Sequence, residues 1–111
     1  MTDKELLELA AKAAGYKGEY QNGGEWMSVR YGFTEAFYVD DLEKYWNPLT
    51  DDGDALRLAV KLKIKVHVWG DETNGGIRVN DIIQWNLGDD PYAATRRAIV
   101  RAAAEIGKGM K

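Results

Sequence analysis

His67 is the only histidine in the chain, and there is no cysteine. A lone imidazole can act as a general base when a carboxylate orients it, and Asp71, Glu72 and Asp81 are the nearest candidates along the chain. No nucleophile motif accompanies them, so a small enzyme with a cleft around His67 is the third-ranked functional reading. The absence of cysteine excludes disulfides, thiolate zinc sites and a cysteine nucleophile, and one histidine excludes a multi-histidine metal site within one chain. Asp51-Asp52-Gly53-Asp54 superficially resembles a calcium loop. An EF-hand closes its 12-residue loop with a bidentate glutamate, which is missing at that offset, so capping of a helix is the better role. Neither a Walker A pattern nor G-x-G-x-x-G occurs, and the glycines fit turns and caps. No catalytic residue, metal site or cofactor is expected.

Two groups of side chains could instead recognise a partner. Trp69, Trp85, Trp26 and Tyr20 belong to a chain rich in aromatics, with four tryptophans and six tyrosines. Such residues mostly fill cores, but if these four meet on one exposed patch they become anchors for a protein partner or for self-association. Arg96, Arg97 and Arg101 form a basic face, with Lys108 and Lys111 beyond them and Glu105 the one acid from 91 onward. Arginine forks suit phosphates or acidic partners, and a nucleic-acid-associated role for this helix is the second-ranked reading. Against it, the formal net charge is −3 with a sequence pI near 5.1, whereas nucleic-acid binders carry a basic footprint. Acidic residues crowd 40–54, so the surface is expected to be dipolar.

The elements that must position these groups can be read from periodicity. Thr2-Asp3-Lys4-Glu5 is a capping box, Leu6, Leu9, Ala10 and Ala13 recur at helical spacing, and Gly15 ends a helix over Asp3–Ala14. Asn22-Gly23-Gly24 suits a hairpin turn between strands at 19–21 and 26–31, with a third strand at 36–39 and an acidic turn over 40–45. Pro48 makes Trp46-Asn47-Pro48-Leu49 a turn, after which Asp51 caps a helix whose apolar face is Ala55, Leu56, Leu58, Ala59 and Leu62. From Lys63 the parity becomes that of a strand, with Ile64, Val66 and Val68 on its buried side. A strand from Ile77 pairs with it, with a bulge or bend near Asn80-Asp81. Asp90-Pro91 then opens a final helix, lined by Tyr92, Thr95, Ile99, Ala102, Ala103 and Ile106 and ended by Gly107.

The expected architecture is α+β: one antiparallel sheet of four or five strands packed by three helices, in the order α-β-β(-β)-α-β-β-α. At 111 residues this is a single domain, 1–111. No apolar run approaches the roughly 20 residues needed to span a bilayer, and Met1-Thr2-Asp3-Lys4-Glu5 lacks the features of a secretory signal. No membrane association is expected, and a cytoplasmic location in a bacterial host cell is the default.

Trp46-Asn47-Pro48, the capped Ala55-Leu56-Arg57-Leu58-Ala59 segment and Asp90-Pro91-x-Ala93-Ala94-x-Arg96-Arg97-Ala98-Ile99-Val100 resemble small proteins of tailed bacteriophages and prophages. The group is that of the phage ABA sandwich domain, and the similarity extends over most of the chain. It implies an α-β-α layering and a phage or prophage origin. It transfers no activity and no catalytic residue, because none is established for the group. The leading expectation is therefore a non-enzymatic phage accessory protein that binds a protein partner, itself included.

Overall fold

The computed structural model describes residues 1–70, 75–85 and 90–110. In chain order it holds α1 (Asp3–Ala14), β1 (Gly18–Asn22), α2 (Gly24–Tyr31), β2 (Glu35–Val39), β3 (Lys44–Trp46), α3 (Asp52–Leu62), β4 (Val66–Trp69), β5 (Gly76–Val79), β6 (Ile82–Trp85) and α4 (Pro91–Lys108). The α+β class and the antiparallel pairing are as expected. The single sheet and the three helices are not: β1-β2-β3 and β4-β5-β6 form two separate three-stranded sheets, and a fourth helix interrupts the first of them.

Local signals explain most elements. In α1 the Thr2 hydroxyl accepts from Glu5 N–H at 3.2 Å and the Glu5 carboxylate accepts from Thr2 N–H at 3.4 Å, completing the capping box. Asp51 accepts from Asp54 N–H at 2.8 Å to start α3, and Asp90 accepts from Ala93 N–H at 3.0 Å to start α4 behind Pro91. The Trp46-Asn47-Pro48 turn is a buried polar knot. Asn47 donates its amide to Glu35 O at 2.7 Å and accepts from Leu49 N–H at 3.0 Å, while its own N–H reaches Asp54 at 3.0 Å. Three bonds thus tie β3, the head of α3 and the start of β2 together, and leave the buried amide satisfied.

The helix α2 replaces the strand expected over 26–31. Its residues alternate and are β-prone, but Met27 is the helix's one fully buried side chain and Val29 is exposed. Local turn chemistry sets both ends of the helix. Gly23 and Gly24 both donate to Thr34 O, and Gly32 closes the helix in the left-handed conformation. The partner of β1 is consequently β2, in the register Tyr20↔Phe37, and β3 adds Phe37↔Trp46 across part of the segment expected to be a turn. In the second sheet Val79 pairs with Ile82 directly, so Asn80-Asp81 is a tight two-residue turn rather than a bulge, with Asn80 at φ 52°.

The core runs between the sheets and the helices. Leu6, Ala10 and Ala14 of α1, Phe37, Val39 and Trp46 of the first sheet, Ile77 and Val79 of the second, and Ala98, Ile99, Val100 and Ala102 to Ala104 of α4 belong to one buried cluster. The closest helix pair is α1 with α4, where small residues let the backbones approach. Gly107 continues α4 rather than ending it, because a Cβ there would lie 2.0 Å from the Leu9 carbonyl oxygen. Of the face expected for this helix, Ile99, Ala102 and Ala103 are buried, whereas Tyr92 and Ile106 are exposed, and Ala98, Val100 and Ala104 are buried in addition.

Candidate functional site

Helices α3 and α4 pack against each other beside the second sheet. Between them and β4 lies an open groove of about 500 Å³. Ala55 and Ala59 of α3 and Ile99 of α4 contribute small or branched apolar side chains to it. Leu56, Val66, Val68, Pro91 and Tyr92 complete its apolar lining, and Asp52 and Arg96 are its charged members. Leu56 is 65% exposed, Val66 41%, Val68 57% and Tyr92 71%. Single exposed apolar residues are ordinary on a surface, but a concave, contiguous set of them marks an interaction site.

The positions of Val66 and Val68 follow from register. They stand opposite Val79 and Ile77, which are fully buried, so all four face the helix layer. The sheet extends past that layer at its β4 edge and leaves the two valines uncovered. This corrects the buried strand expected from Ile64, Val66 and Val68. Ile64 is buried, but it precedes β4 and belongs to the α3–β4 link. The expected apolar face of α3 is corrected likewise, because Leu56 points into the groove and not into the core.

β4 is also an edge strand. Asn80 N–H donates to Lys65 O at 3.0 Å, and Lys65 N–H donates to the Asn80 side chain at 2.9 Å. Bonded positions recur at every second residue of an antiparallel pair, so His67 and Trp69 direct their main-chain groups to β5. Val66 and Val68 direct theirs to the open edge. Their side chains line the groove while their backbone is free to pair.

The four aromatic candidates divide between the sheets. Tyr20 is half-buried on β1, donates its hydroxyl to Glu35 and carries Lys4 Nζ 5.8 Å from its ring centroid. Hydrogen bonding to the Glu35 carboxylate, and then burial, push the Tyr20 phenol up to about 12. Trp26 is 54% exposed on α2, in edge contact with Tyr31 at 6.4 Å. Trp69 stacks on His67 at 5.7 Å and lies over Gly76, where a Cβ would come within 2.7 Å of its ring. Trp85 is in register with that same glycine. Tyr20 and Trp26 thus sit on the first sheet's unit, and Trp69 and Trp85 on the second sheet.

A different aromatic group lies around Trp26: Tyr31 stacks on Phe33 at 5.8 Å and meets Tyr45 at 5.0 Å, and Tyr45 meets Tyr38 at 5.2 Å. Tyr31, Phe33 and Tyr45 line a cavity of about 310 Å³ together with Asp51 and Asp54. Both carboxylates are occupied there, by the Asp54 N–H and by Arg57, whose guanidinium is 2.7 Å from Asp54.

The basic helix is tied into the fold. Arg96 reaches the Leu49 carbonyl at 3.0 Å and Asp52 at 2.7 Å, and Arg97 reaches Asp3 at 2.9 Å. Arg101 is exposed beside Glu105 at a cavity with Leu6 and Ile82. His67 and Asp81 are both exposed, at the middle of β4 and in the β5–β6 turn, while Asp71 and Glu72 lie outside the described residues. Among the described residues no group of three or more His, Asp or Glu side chains could hold a metal ion, and no helix is long and apolar enough to cross a membrane.

The site thus belongs to a small α+β protein with two antiparallel three-stranded sheets and an apolar groove beside the edge of one of them. In comparisons with known proteins, no family model, no curated protein and no solved structure matches the chain.

Proposed function

We propose that this chain is a non-enzymatic accessory protein of phage or prophage origin, acting in the cytoplasm of the bacterial host by docking protein in the α3–β4–α4 groove. The observation that carries the docking is the contiguous exposure of Leu56, Val66, Val68 and Tyr92 around an apolar concavity. The origin rests on the sequence resemblance alone. Arg96 and Arg97 commit their forks to Asp52 and Asp3, so phosphate binding by that face would first have to break two ion pairs.

The test uses tagged protein as bait, offered bacterial lysate and a differently tagged second copy, with and without nuclease. Retention of a protein that survives nuclease, and its release by Leu56→Glu or Tyr92→Glu without a change in melting temperature, supports docking in the groove. Retention that needs nucleic acid, falls steeply with salt and is reduced by Arg101→Glu would transfer the function to the α4 surface. Retention indifferent to both groove substitutions would overturn the assignment of the site.

A further inference from the structure

The geometry points to a second copy of this chain as the occupant, joined through β4 edge to edge about a two-fold axis at His67. This rests on the docking role of the groove and names what docks there. The first argument is the strand's own symmetry. Val66-His67-Val68 is a palindrome, and the two valines are the residues whose main-chain groups face the open edge. In an antiparallel pair centred on His67, Val66 of each copy exchanges both main-chain bonds with Val68 of the other, and β4 keeps every bond to β5.

The second argument is the placement of the grooves. A two-fold axis normal to the sheet leaves both helix layers on the same side, so the open rim of one groove faces the open rim of the other. Leu56 and Tyr92 of each copy then close over the exposed valines, and Val60, 69% exposed one turn beyond Leu56, extends the same apolar strip. A heterologous strand could use the same edge, but it would need this symmetry supplied from elsewhere.

The chain has no cysteine, so a single introduced thiol reports the register directly. At a two-fold centred on His67 the two position-67 residues form a non-bonded pair with Cα atoms about 4.5 Å apart, within the range a disulfide spans. Mild oxidation of His67→Cys is expected to give a covalent dimer, and Ser28→Cys on α2 is expected to give none. Sedimentation of the unmodified protein from micromolar to near-millimolar concentration is expected to show a monomer–dimer equilibrium. Val68→Pro, which removes an N–H directed only at the open edge, should weaken it by about tenfold or more. Where the proline variant does not fold, Val66→Lys serves the same purpose with its amine in water in the monomer.

A protein that stays monomeric throughout and does not cross-link at position 67 overturns the proposal. So does a dimer that survives both strand variants. If Leu56→Glu still releases a different bound protein in either case, the groove keeps its docking role and only the identity of its occupant is wrong.

Discussion

The two sheets share a strand count and a direction of pairing, yet one is closed and the other open. In the first, Phe37, Val39 and Trp46 are all buried, and the edge contact of Trp46 with Tyr16 at 5.3 Å seals the link between β3 and the end of α1. In the second, the central strand is covered and Ile82 of β6 is half-buried: Ile77 and Val79 are buried while Val66 and Val68 stand in water on the same face. The difference is one of reach. Trp46 on the β3 edge of the first sheet is buried and Tyr20 on its β1 edge half-buried, whereas both valines on the β4 edge of the second are exposed.

Three measurements would break or sharpen that contrast. Trp46→Ala should cost about 3–5 kcal/mol in chemical denaturation, since it empties a fully packed site shared by the first sheet, Tyr16 and Phe37. A loss under about 1 kcal/mol would mean that the first sheet is not sealed. Tyr20→Phe should cost about 1 kcal/mol at neutral pH through the lost bond to Glu35. It should also change the alkaline limb. The Tyr20 phenol is held above its ordinary value in the folded protein, so it stabilises the fold below pH 10. That contribution fades as pH rises from 10 toward about 12, where the unfolded chain ionises first. The phenylalanine variant should lose this component of the pH dependence. Val68→Ala should be the smallest, within about 0.5 kcal/mol when measured on the monomer, because its side chain has little cover to lose. A cost of 2 kcal/mol or more would show that the groove is filled in solution by the chain itself.

The parts of this molecule legible in its sequence are those where the deciding interactions are local. The Thr2–Glu5 box, Asp51 and Asp90 specify three helix starts within four residues, and all three helices begin where those side chains indicate. The helix α2 was not legible, because Trp26 to Tyr31 has the residue types of a strand and only the burial of Met27 and the pairing of Gly23 with Thr34 decide otherwise. Alternation identified Val66 and Val68 as one face of a strand, correctly. It could not say whether anything would cover that face, since cover depends on how far α3 and α4 extend over it. The arginines show the same limit: their partners Asp52 and Asp3 lie 44 and 94 residues away. The ring group of Tyr31, Phe33, Tyr45 and Tyr38 was missed too, and the only signal for it was the density of aromatics between 31 and 45.

The close seating of α1 on α4 sets an order of events as well as a stability. Lys12 of α1 donates to the carbonyl of Met110 at 2.9 Å, and Gly107 admits the Leu9 backbone, so α1 is mated to a helix that is made only after all the intervening elements. Until α4 emerges, the alanine face of α1 lacks its main cover, and β5 and β6 lack the helix that packs on them. Final consolidation is therefore a long-range closure, slowed by the entropy of joining segments nearly a hundred residues apart. A nascent chain stalled short of α4 would present α1 and the uncovered strand faces to chaperones and to other chains. The small residues that let α1 and α4 approach closely thus also make the early intermediates dependent on the synthesis of α4.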